Sequence, residues 1–220
     1  TPSDQSEGVM DAVRMVLDLA GAEPGQVESL AHGMTVATNA LLEGNGARTV
    51  LVTTSGFTDI VEIGRQNRAD LYRLRERRPD PLAPPELRVG ADERMGPDGV
   101  IKTLSPDESR SVADRVAGLE AESVAVCLLH ADRHPAHEVS LGEALRERLG
   151  PDVHVSLSHQ VVGTFREYER AATTEVDAAL SPLLGGYLAR LARRCEDVGL
   201  PEAAIMQSSG GLTDLETASG

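Results

Sequence analysis

The segment Gly64-Arg65-Gln66-Asn67-Arg68 sets two guanidinium groups and two carboxamides side by side. That density of planar hydrogen-bonding groups suits a carboxylate or a planar polar ligand, which a guanidinium fork can grip with paired donors. The alternative is a loop tied down by its own side chains and by nearby acids such as Glu62 and Asp70. A second segment, His32-Gly33-Met34-Thr35 followed by Thr38 and Asn39, brings small hydroxyl and amide groups to a predicted helix start. Unsatisfied backbone N–H groups there attract a phosphate or carbonyl oxygen, although an N-cap with a polar outer face has the same composition. In a third, Gln207-Ser208-Ser209-Gly210-Gly211, a strand runs into a glycine turn. Such a turn exposes N–H groups to an anion or substrate, or simply reverses the chain. His130, His134 and His137 are spaced closely, but Pro135 interrupts them and no Cys joins them. A closed zinc site needs four placed ligands, so the expectation is a capping or surface cluster and no metal site. Arg166-Glu167-Tyr168-Glu169-Arg170 reads as an ion-paired helix start.

The elements that must position these groups follow from hydrophobic spacing. Ser6 is expected to cap a first helix with Val9, Val13, Val16, Leu17 and Ala20 on one face and Gly21 as its stop. A short strand at 29–31 precedes the His32 segment and its helix, which ends at Gly44-Asn45-Gly46, and 48–53 reads as a buried strand. Pro79, Pro81, Pro84 and Pro85 exclude helix or central strand from 77–86, which is expected to be a rigid surface crossing. Asp98-Gly99 between 87–94 and 100–104 signals a hairpin. From Pro106 onward the pattern is helix, strand 124–129, helix, strand 153–157, which is a βαβ unit with parallel pairing. A long helical stretch over 166–198 follows, with Pro182 and Gly185-Gly186 expected to kink or divide it. The fold class is therefore α/β.

Composition narrows the function. The 220 residues carry 35 acidic and 21 basic side chains, a net charge of −14, with 40% apolar residues and only 3 Tyr and 2 Phe. Such a chain repels phosphate backbones and anionic lipid and lacks base-stacking platforms, which argues against nucleic-acid and membrane roles. No apolar run reaches the length of a membrane span and no signal peptide opens the sequence, so a cytoplasmic protein is expected. Cys127 and Cys195 sit in apolar or helical surroundings and read as reduced thiols. Lys102 is the sole lysine, which leaves little room for Schiff-base or P-loop lysine chemistry.

Six blocks taken in order carry a more specific signal: 32–43, 52–57, 62–68, 127–130, 166–170 and 206–211. Together they resemble the hydantoinase A / 5-oxoprolinase family, with N-methylhydantoinase A-type proteins nearest in texture and ketone carboxylase β subunits as relatives. The resemblance implies part of an actin-like ATPase (ribonuclease H-like) fold, with parallel βαβ units and a long C-terminal helical stretch. It also implies three segments: 1–85 in the N-terminal actin-like subdomain, 86–160 as a βαβ section serving as scaffold or lid, and 161–220 leading into the next subdomain. Enzymes of this kind use ATP and Mg²⁺ to phosphorylate the carbonyl oxygen of a cyclic amide, and they work with a B-type subunit or domain.

Carried over by position, Thr35, Thr38, Asn39, Gln207, Ser208 and Gly210 would border the nucleotide, and Arg65, Gln66, Asn67 and Arg68 would contact substrate or the partner subunit. Met34 and Ser209 depart from the Thr and Asn usual in the family. The family's two glycine-rich phosphate turns lie outside these residues, so the isolated chain is expected to be inactive. Its uncovered edges are expected to favour self-association. An ATP-dependent ketone carboxylase subunit, or a docking domain without catalytic duty, are the alternatives.

Overall fold

The computed structural model describes residues 4–66, 72, 80–208 and 210–219. In chain order they form α1 (Gln5–Ala20), β1 (Leu30–His32), α2 (Val36–Glu43), β2 (Thr49–Thr54), α3 (Ile60–Ile63), β3 (Arg88–Ala91), β4 (Arg94–Gly96), β5 (Gly99–Lys102), α4 (Pro106–Ala117) and β6 (Ser123–Cys127). Next come α5 (Ala136–Leu149), β7 (His154–Leu157), α6 (Ser158–Val161), α7 (Glu167–Val198), β8 (Ala203–Met206), β9 (Leu212–Thr213) and α8 (Leu215–Ser219). The chain divides into two compact units, one of residues 46–180 and one of residues 1–45 with 181–220.

The unit of residues 46–180 is built on a four-stranded sheet in the order β3-β2-β6-β7, parallel throughout. Its central strands are continuous apolar runs because a parallel sheet is covered on both faces. Val50, Leu51, Val52, Val124, Ala125 and Val126 are all fully buried. Helices α4 and α5 cover the sheet with Val112, Val116, Leu141 and Leu145, and Ala171 and Ala178 of α7 join the same core. The α4 start is fixed by Ser105, whose side chain accepts the Glu108 N–H, with Pro106 at the first helical position. In the other unit β1 pairs in parallel with β8, and β9 pairs antiparallel on β8's other side. Met10 of α1 packs there against Leu191, Cys195 and Leu200. Both cysteines are free thiols. Among the described residues no helix is long and apolar enough to cross a membrane.

Four local expectations change. Asp4, not Ser6, caps α1, accepting the Ser6 N–H at 3.0 Å and the buried Ser6 hydroxyl at 2.6 Å. A carboxylate cap is further favoured here because Arg194 binds its other oxygen at 2.9 Å. Val16 points to solvent, and Met10 takes the core position that the periodic pattern gave it. The stretch 87–94 is not one hairpin arm: Arg88–Ala91 joins the main sheet beside β2, and only Arg94–Gly96 pairs with β5. Finally, α7 runs unbroken through Pro182. A proline removes one ladder bond and weakens the turn before it. In that turn the Ala179 carbonyl accepts the Ala47 N–H at 2.8 Å, a tertiary bond that ties the helix to the chain leading into β2.

Candidate functional site

Parallel pairing of β1 with β8, in register from Leu30↔Ala203 to His32↔Ile205, brings the segments that follow the two strands side by side at their carboxyl ends. In open α/β sheets that edge is where ligands bind. After β1 the chain crosses Gly33, whose missing Cβ would meet the Met206 sulfur at 3.5 Å. It then buries Met34 and Val36 against Tyr187, Leu188 and Ile205. That apolar contact anchors the turn and gives Met34 a packing role.

Thr35 is the N-cap of α2, yet its side chain makes no capping bond. Asn39 donates to its hydroxyl at 3.4 Å from the exposed face. The first backbone N–H groups of α2 have no helical acceptors, so Thr35, Thr38 and the helix start present donors outward. On the neighbouring strand Gln207 begins a turn closed by Gly210 N–H to the Gln207 carbonyl at 3.1 Å and Gln207 N–H to the Gly211 carbonyl at 3.2 Å. Gly210 and Gly211 both have φ of +92°, a conformation costly for any side chain. Gln207, Ser208 and Gly210 are exposed, while Ser209 lies outside the described residues. The assembly is a donor-rich rim without an acid or base of its own, suited to holding negatively charged oxygen.

The nearest titratable pair is His32 with Tyr187, joined at 2.7 Å. Burial lowers the His32 pKa and raises that of Tyr187, so both rest neutral near pH 7. Asn39, Tyr187 and Arg190 also line a small cavity of about 190 Å³ closed by Asp4 and Asn45. Tyr187 reads in the sequence as one more member of an apolar stripe. Its hydroxyl partner lies 155 residues away, beyond the reach of any local pattern.

Arg65 and Gln66 belong to the other unit. Arg65 forms an ion pair with Glu169 of α7, and its hydrogen bond is the main cause holding the Glu169 carboxyl below its usual range. Gln66 has φ of +54°, uncommon for a residue with a Cβ and often found where a loop is held for function. Asn67 and Arg68 fall outside the described residues. Of the two acids expected to tie this loop, Glu62 binds Arg88 at 3.0 Å, and Asp70 lies outside the described residues.

A buried polar network at the carboxyl ends of β2, β6 and β7 accounts for other chemistry-bearing residues. Arg170, wholly buried, donates to the Leu128 carbonyl at 2.7 Å, the Thr164 carbonyl at 3.0 Å and Ser158 at 3.0 Å, and reaches Asp132 at 3.4 Å. Glu138 accepts from Leu128 N–H, Ser158 and His159. Thr54 donates to Glu93 and accepts the Leu129 N–H at 3.2 Å. Burial of Cys127 beside this network pushes its thiol up to about 12, so it is unreactive. His137 accepts the Leu104 N–H on Nε2 at 3.3 Å, which places its proton on Nδ1, 2.7 Å from Glu93. His134 instead meets the Pro97 carbonyl at 3.1 Å. His134 and His137 are thus spent on separate partners, and among the described residues no group of His, Cys, Asp or Glu is placed to hold a metal.

Comparison with known proteins adds to this geometry. Residues 1–149 match the hydantoinase/oxoprolinase N-terminal region. Caprolactamase subunit alpha of Pseudomonas jessenii is 32% identical over 222 residues, covering 96% of this chain and 32% of that protein. 5-Oxoprolinase 1 of Arabidopsis thaliana is 29% identical over 249 residues, covering 100% of this chain and 19% of that protein. The crystal structure of ATP-dependent caprolactamase from Pseudomonas jessenii superposes with a TM-score of 0.87 at 30% identity, over 96% of this chain and 32% of that one. Nucleotide-free acetone carboxylase gives 0.84 at 22%, over 98% and 33%. The fold is accordingly part of the actin-like, ribonuclease H-like ATPase architecture. The chain spans a third or less of the length of these relatives.

Proposed function

Because the chain belongs to the hydantoinase/oxoprolinase family, we propose that it supplies one wall of the active site in an ATP-dependent enzyme that opens cyclic amides. The observation that carries this reading is the β1–β8 pairing, which sets the α2 start and the Gln207–Gly211 turn side by side as one donor-rich edge. An amide carbonyl is a weak electrophile with a poor leaving group. Moving the terminal phosphoryl group of ATP onto its oxygen makes the carbon open to water, and this kind of transfer depends mainly on positioning and charge stabilisation. In this reading Thr35, Thr38 and Asn39 face the phosphates from one strand end and Gln207, Ser208 and Gly210 from the other. Arg65 and Gln66, with Asn67 and Arg68, meet the cyclic amide or a B-type partner subunit. Neither strand-end segment carries a carboxylate, so ligands for a magnesium ion come from elsewhere in the enzyme.

The name of the caprolactamase relative, at higher identity than acetone carboxylase, favours amide hydrolysis over ketone carboxylation. The 220-residue chain by itself is proposed to leave ATP intact, and a cytoplasmic location fits its chemistry. Calorimetric titration with Mg²⁺ and a non-hydrolysable ATP analogue tests the assignment. The chain joined to the remaining family segments should bind, and Thr35→Ala with Gln207→Ala should weaken that binding at least about tenfold through lost donors. Unchanged affinity in the double variant would remove both loops from the nucleotide site.

A further inference from the structure

The β4–β5 hairpin of the unit of residues 46–180 has an open edge. Among the described residues β5 pairs with β4 alone. The other side of Gly99–Lys102 therefore carries backbone N–H and C=O groups that no strand meets, an arrangement that invites pairing with another chain. Apolar side chains stand along it, with Val100 55% exposed and Ile101 71%. Val100 lies opposite Met95 of β4, and the two line an open groove of about 560 Å³ with Pro135, Ala136 and Val139 at the start of α5. Ile101 takes the other face of the ribbon, across Gly96, whose absent Cβ would meet the Ile101 Cδ1 at 2.7 Å. Lysine commonly guards such an edge, and Lys102, the sole lysine of the chain, ends this one. The exposed Asp98 at the hairpin turn stands at its other end, so the strand carries opposite charges at its two ends. Lys102 already holds both carboxylate oxygens of Asp92 at 2.6 Å, and an ammonium group has a third donor to give.

We infer that β5 is a self-pairing surface, joining antiparallel to β5 of a second copy of this chain about a two-fold axis at Val100. In a strand the N–H and C=O groups turn to one side at every second residue, so two copies join outward-facing groups only in registers centred on a residue. Centring on Gly99 would set Asp98 against Val100, and centring on Ile101 would set Lys102 against Val100. Centring on Val100 faces Val100 with its counterpart, Ile101 with Gly99, and Asp98 with Lys102 of the other copy. Opposite charges then meet twice across the pair, a favourable cross-strand arrangement. Ile101 gains a second glycine to lie across, and the other copy's Val100 falls on the face that carries the apolar groove. The pairing uses the β5 edge of both copies, so it closes at two chains. No residue assigned to the nucleotide or the cyclic amide takes part in it.

Sedimentation equilibrium of the 220-residue chain, carried into the millimolar range, provides the test. Two short strands bury less than the roughly 1,000 Å² of a stable complex, so the expected species is a weak, reversible dimer. Ile101→Glu, at an exposed position that leaves the fold in place, should raise the dissociation constant at least about tenfold through lost apolar contact. Asp98→Lys and Lys102→Glu should each weaken the dimer, and the double variant should recover it. Oxidation reads the register, because the native thiols are buried. Val100→Cys should form a disulfide between copies, since the pair on the axis lies within bridging distance. Ile101→Cys should not, its two sulfurs being carried by diagonal neighbours roughly 7–8 Å apart. A chain that stays monomeric throughout, a dimer indifferent to Ile101→Glu, no recovery in the double variant, or bridging through position 101 in preference to 100 would each overturn the assignment.

Discussion

Glu175 is the residue whose replacement should most visibly change the pH dependence of this chain's stability. It is 3% exposed, one of its oxygens has no partner, and burial pushes its carboxyl up from 4.5 to about 7 against the opposing pull of a backbone bond at Ala83 and the Arg88 charge. Between those two values the folded chain holds a proton that the unfolded chain has released. Stability is therefore fully present below pH 4.5, declines as the pH rises, and is lost through about pH 7. A shift of this size corresponds to roughly 3 kcal/mol. Glu175→Gln keeps the shape of the protonated acid and removes the titration. Guanidinium unfolding of both forms across the acidic to mildly alkaline range isolates this group, because the others titrate alike in the two proteins. Relative to its value at low pH, the variant's advantage should grow by roughly 3 kcal/mol at about pH 8. A difference that stays flat, or that grows in favour of the parent chain, would refute a buried, poorly solvated Glu175.

Two further substitutions probe the polar framework of the same unit. Arg170→Met should lower the unfolding free energy by about 3–5 kcal/mol, since it strands Asp132 and the Leu128 and Thr164 carbonyls in the interior. A loss below about 1 kcal/mol in the denaturant midpoint analysis would mean that water replaces the guanidinium. Arg65→Ala should barely move stability, by less than about 1 kcal/mol, because its pair with Glu169 is half exposed. In an assembled enzyme the same change should cut cyclic amide turnover, and unchanged turnover would leave Arg65 as a loop tether alone.

Much of the architecture was legible because burial writes itself into spacing. The runs 48–53 and 124–129 are apolar on both faces and became β2 and β6, and Gly21 and Gly44 end their helices in left-handed conformations as helix stops do. What stayed illegible depends on partners distant in sequence. Nothing near Glu93 shows that it will face Thr54 and His137, or near Tyr187 that it will meet His32. The Asp4 cap gains from Arg194 at the far end of the chain. Residues 1–45 and 181–220 form one unit through β1 and β8, which a reading along the chain does not reveal. The described residues that the resemblance singled out for binding are all exposed, so their composition alone left ligand and surface readings equally open, and the strand pairing supplied the reason to group two of the three blocks.

In the proposed reaction a phosphoryl group passes to the amide oxygen beside the β1 and β8 ends. This step is tested most directly by isotope transfer in an assembled enzyme containing this chain, given a lactam labelled with heavy oxygen at its carbonyl, ATP and Mg²⁺. Label appearing in inorganic phosphate in step with ring opening, and lost when Thr35 and Gln207 are replaced by alanine, is the predicted result. Ring opening with all of the label retained in the carboxylate product would contradict it.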